Sequence, residues 1–143
     1  MAQPLPRHAT ALACCGLLPY AAAPLSCLLW PEHRQLAAQW LAAYSFGIAC
    51  FLLGAWWGMA LIRRCPAALY FSNGLFILAF FGRALLPTAG WLALAALLMI
   101  AIWWVEGSYR LFRPQPPYYR RLRGALSWIA AGGLLATALL TAP

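Results

Sequence analysis

The sequence predicts an all-α protein: one integral-membrane domain over residues 1–143, a polytopic bundle of five transmembrane helices with the N-terminus inside and the C-terminus outside. Three observations predict it. The chain is 65% hydrophobic and only 8% charged, whereas a soluble domain carries about a quarter charged residues. Its apolar runs recur at lengths near twenty residues, which at about 1.5 Å per residue cross the roughly 30 Å of a bilayer's hydrocarbon. Its arginines gather at the ends of those runs, unevenly between the two sides.

The first span is expected over about 9–29. Its start has the pattern of a signal peptide, with Arg7, a short apolar run and Ala21-Ala22-Ala23. Pro24 directly after that site disfavours cleavage, so a retained helix is expected, kinked near Pro19 where a backbone hydrogen bond is lost. Residues 30–39 read as a connector. The second span, about 40–62, is the expected packing hub, because Gly47, Gly54 and Gly58 fall within roughly 40° of one another at about 100° per residue. Such a strip of bare backbone, with a GxxxG pair at Gly54 and Gly58, lets a second membrane helix approach closely.

A tight Arg63-Arg64-Cys65-Pro66 turn leads to the third span, about 66–86, with Asn73 inside it. The fourth covers about 91–106 and ends at Trp103, Trp104 and Glu106. Residues 107–123 read as the one long loop, stiffened by Pro114, Pro116 and Pro117, and the fifth span covers about 124–142.

Five spans put Arg7, Arg63, Arg64, Arg110, Arg113, Arg120, Arg121 and Arg123 on one side and only Arg34 and Arg83 on the other. Positively charged flanks stay in the cytoplasm, which sets the orientation. A net charge of +8 in a soluble chain would point to nucleic acid. Here the charges flank the spans, so the expected partners are the lipid bilayer and other membrane proteins or further copies of the chain, not nucleic acid.

The chain offers little chemistry. It has two glutamates, Glu32 and Glu106, and two histidines, His8 and His33, which this topology puts on opposite sides. The five cysteines form no CxxC and read as small apolar fillers. There is no GxxxxGK[ST], HExxH or GxSxG. No catalytic residue, cofactor or metal is therefore expected, and the chain is not read as an enzyme.

Three groups of residues stand out. Gly47, Gly54 and Gly58 are the helix-packing strip. Asn73 and Glu106 are candidates for a polar path, Glu106 with the plainer alternative of pairing with Arg110 or the Arg63-Arg64 pair. Tyr118, Tyr119, Arg120, Arg121 and Arg123 form a segment suited to lipid headgroups or a partner. Tyr44 and Ser45 read as markers of the outer interface.

The chain resembles domain-of-unknown-function family 3429, the transmembrane protein 69-like small membrane proteins. The resemblance is carried by Gly16-Leu17-Leu18-Pro19-Tyr20, by Tyr44 with the run Phe51 to Leu61, by Pro66, and by Pro116-Pro117-Tyr118-Tyr119-Arg120-Arg121-Leu122-Arg123. Trp56 stands where members often have a basic or histidine side chain, Leu53 replaces a glycine, and Glu106 sits where an aspartate is common. The resemblance implies a multi-pass protein of the bacterial inner membrane and brings no activity. The expected function is a non-enzymatic subunit or assembly or scaffold factor working through helix packing. A small oligomeric transporter or channel is the alternative, and binding of anionic lipid through the arginine segment is a weaker one.

Overall fold

The computed structural model describes residues 5–108 and 117–142. Six α-helices make five spans: α1 (Leu5–Cys15), α2 (Leu18–Leu29), α3 (Arg34–Ile62), α4 (Pro66–Leu85), α5 (Thr88–Ser108) and α6 (Pro117–Thr141). No strand occurs among the described residues. The stretches long and apolar enough to cross a membrane are Arg7–Leu29, Pro31–Ile62, Pro66–Leu85, Thr88–Ser108 and Tyr118–Thr141. The five expected spans are all present, and the chain is an all-helical multi-pass membrane bundle.

The boundaries differ in two places. The connector expected at 30–39 shrinks to Trp30 and a single 3-10 turn, Pro31–His33. The helix α3 then runs for 29 residues, about 44 Å at 1.5 Å per residue, longer than the hydrocarbon it crosses. Arg34 opens it and turns back: its Nε donates to the Cys27 carbonyl at 2.8 Å, satisfying an acceptor that the last turn of α2 leaves open. At the other end, the loop expected through Arg123 stops short. Pro117 begins α6, a first-turn position where proline's missing N–H costs nothing. Tyr118 to Arg123 are thus helical, while Arg110, Arg113, Pro114 and Pro116 lie outside the described residues.

The expected break in the first span is found. The chain leaves the helical ladder at Gly16-Leu17, and Pro19 sits in the first turn of α2. Tyr44 of α3 holds this break, its hydroxyl donating to the Gly16 carbonyl at 2.9 Å. Its ring meets Tyr20 edge-on at 5.5 Å.

Helices α5 and α6 pack antiparallel over most of their length, and α3 lies against α2, α4 and α5. The shared core includes Leu41, Trp91, Leu92, Met99 and Leu134. Two polar links cross it. Trp91 of α5 donates through Nε1 to the Ala42 carbonyl at 3.1 Å and to Ser45 Oγ at 3.2 Å. Ser72 of α4 donates to the Leu53 carbonyl at 2.8 Å. With no water in hydrocarbon, such groups must be satisfied within the protein. Tyr44 and Ser45 therefore hold helices together inside the bundle.

The α3–α4 turn is a helix stop of the Schellman type. The N–H of Cys65 reaches the Ala60 carbonyl at 3.0 Å and that of Arg64 reaches Leu61 at 3.3 Å. Arg64 sits at φ 52°, where glycine is the usual occupant because a Cβ is penalised there. Arg64→Gly is expected to stabilise the fold by about 1 kcal/mol. A thermal midpoint in detergent that falls instead would show that the arginine side chain outweighs the strain.

Candidate functional site

One end of the bundle carries a buried charged cluster. Glu106 stands near the end of α5 and Arg123 two turns into α6, and the antiparallel packing of the two helices puts them level. Each is only 8% exposed. Arg123 donates through Nε to Glu106 Oε2 at 2.9 Å and through Nη2 to Oε1 at 3.1 Å, a bidentate fork. Trp56 of α3, itself buried, donates through Nε1 to Oε1 at 3.0 Å. Three helices thus converge on one carboxylate.

The partner that the described residues show for Glu106 is Arg123, while Arg110 lies outside them. The geometry of α6 decides it. At about 100° per residue, Arg123 lies about 160° around the helix from Arg121. Arg120 and Arg121 are exposed while Arg123 turns inward. This corrects the grouping of Arg123 with the headgroup segment, of which Tyr118, Tyr119, Arg120 and Arg121 remain on the surface.

Trp56 is the residue whose importance the one-dimensional pattern hid. An indole N–H in an apolar helix gives no sign of its partner. Trp56→Phe removes one of the donors to Oε1 and leaves Arg123, so it is expected to cost about 1–2 kcal/mol. An unchanged melting temperature would show that the indole bond adds nothing.

The two proposed path residues are not brought together. Asn73 is exposed on α4 and donates to the Leu69 carbonyl one turn back at 2.8 Å. It faces away from the bundle, whereas Glu106 is enclosed within it. A carboxylate held by three donors and sealed from its surroundings is a structural lock among α3, α5 and α6. It presents no open acid or base.

The glycines also sort differently from expectation. A Cβ placed on Gly47, Gly54 or Gly58 would meet nothing within 4 Å. None of the described residues packs against them, and they lie on the outer face of α3. The glycines that permit close approach are Gly133 and Gly82. A Cβ on Gly133 would run into the Tyr20 carbonyl, and one on Gly82 would run into Leu94. Among the described residues no three His, Cys, Asp or Glu side chains come together as a metal site would need.

No curated protein and no solved structure matches the chain. A family model described as "Protein of unknown function (DUF3429)" matches residues 5–139. With nearly the whole chain inside that match, the protein belongs to the DUF3429 family.

Proposed function

We propose that the protein is a non-enzymatic subunit or assembly factor of the bacterial inner membrane, and that its α3 docks an apolar transmembrane helix of another membrane protein. The observation that carries this reading is the position of Gly47, Gly54 and Gly58. They lie on the outer face of the longest helix, with the exposed Phe51 between Gly47 and Gly54, and none of the described residues packs on them. Phe71, Phe76, Phe80 and Phe81 are exposed on α4, which suits lipid, whereas α3 offers three open glycines on one face where a backbone can come near. Association in hydrocarbon depends on such close packing, because lipid tails and leucines are equally apolar.

The proposed orientation has the Arg63-Arg64 end in the cytoplasm, supported by the eight-to-two distribution of arginines. Arg120 and Arg121, exposed at that end, would sit at the level of anionic phosphates.

Gly54→Leu is expected to leave the folded chain intact and to abolish its heteromeric assembly. Native mass spectrometry after gentle extraction from its own membranes checks this. A wild-type protein recovered only as a lone chain, or a complex that survives the leucine, would defeat the proposal.

A further inference from the structure

Beside the charged cluster lies a cavity of about 400 Å³ between α1, α2, α3 and α6. On α6 it extends from Tyr119 to Ala130, about 16 Å at 1.5 Å per residue. That is an elongated slot, with room for an alkyl chain or a flat ring. Leu12 of α1 and Phe51 of α3 line it and are both exposed, so it opens sideways between these helices. In a bilayer that opening faces hydrocarbon, and what enters must be lipid-soluble.

The walls are mostly apolar but hold donors at two levels. Ser127 lines the slot near its inner, Ala130 end, and Tyr20 lines it as well; they are only 2% and 3% exposed. The hydroxyls of both lack a hydrogen-bond partner among the described residues, which is costly in a bundle that must satisfy its polar groups internally. One helical turn away, Arg123 lines the slot as well. Its Nε and Nη2 are bound to Glu106, leaving Nη1 outside the carboxylate fork. The guanidinium charge is already compensated by Glu106, so the site favours a neutral acceptor over an anion.

We propose that this slot binds the head of a lipid quinone: a flat, neutral ring with carbonyl oxygens on opposite edges and a long apolar tail. Ser127 and Arg123 are four residues apart on α6, about 6 Å along its axis, a separation that suits the two oxygens of such a ring. Tyr20 and Ser127 donate to the inner oxygen, Arg123 to the outer one, and the tail leaves between Leu12 and Phe51.

The test is solvent extraction of the protein purified in mild detergent from its own membranes, with quinone per chain measured by mass spectrometry. Decylubiquinone is then added to stripped protein and the shift in melting temperature is followed. About one quinone per chain is expected, and a rise in melting temperature on adding decylubiquinone. Ser127→Ala is expected to lower occupancy at least fivefold, and Ala130→Leu, which fills the inner end, to abolish it. Should Ala130→Leu fail to fold, Ser127→Ala decides alone, since it removes only an unpartnered oxygen. Extracts holding only glycerolipid, occupancy unchanged in the variants, or no shift with decylubiquinone in the wild type would each overturn the proposal.

Discussion

Glu106→Ala is expected to destabilise the folded bundle by about 3–5 kcal/mol, the cost of leaving a buried charge without its partner. The alanine removes the carboxylate that pairs with Arg123, a residue 8% exposed. It also strands the Trp56 N–H, which now donates to Oε1. Arg123 cannot shed its proton as a buried lysine would, so it must either stay charged in a dry setting or drag the start of α6 outward. The double replacement Glu106→Leu with Arg123→Met is expected to recover most of the loss, because a matched apolar pair needs no desolvation of charge. Unfolding in mixed micelles, followed by tryptophan fluorescence, checks both. If the single and double variants are equally unstable, the ion pair is not what the first substitution broke.

The second large effect is expected at Gly133. In α2, Pro24 has no N–H to offer the Tyr20 carbonyl one turn earlier. The backbone of α6 crosses at that carbonyl, close enough that a Cβ on Gly133 would overlap it. The obstacle is main chain in two helices, so neither side can yield by rotating a side chain. Gly133→Leu is expected to cost at least about 3 kcal/mol, the upper range for overpacking a filled interior, and to separate α2 from α6. Tyr20 and Tyr44 would lose their edge-on contact as α2 moves. Gly47→Leu, with open space around its Cβ, serves as the matched control and is expected to change stability by no more than about 0.5 kcal/mol. Equal losses at the two sites would mean that α2 and α6 do not meet as described.

These two effects and the docking test separate folding from association. Gly133 and Gly82 serve contacts inside the chain, whereas Gly54 serves none there. A family of variants at the three positions should therefore divide into those that lower the melting temperature of the isolated chain and those that change only what it associates with.

Hydropathy and charge placement were enough to specify the number of spans, their approximate limits and the break before Pro19. Crossing hydrocarbon demands about twenty apolar residues wherever the chain folds, and a proline's missing donor disrupts the helical ladder locally. The limits of α3 and α6 were harder to see, because Arg34 to Gln39 and Tyr118 to Arg123 are polar enough to read as connectors yet continue a helix past the membrane. The inside of the bundle could not be read from the sequence. In a soluble protein the buried face of a helix is apolar and the outer face polar, so periodicity identifies it. Here lipid and core are equally apolar, and Gly54 on the surface looks no different along the chain from Gly133 in a contact. The partner of Glu106 was hidden for a related reason: several arginines share its end of the bundle, and only the turn of α6, set by where that helix begins, brings Arg123 to it.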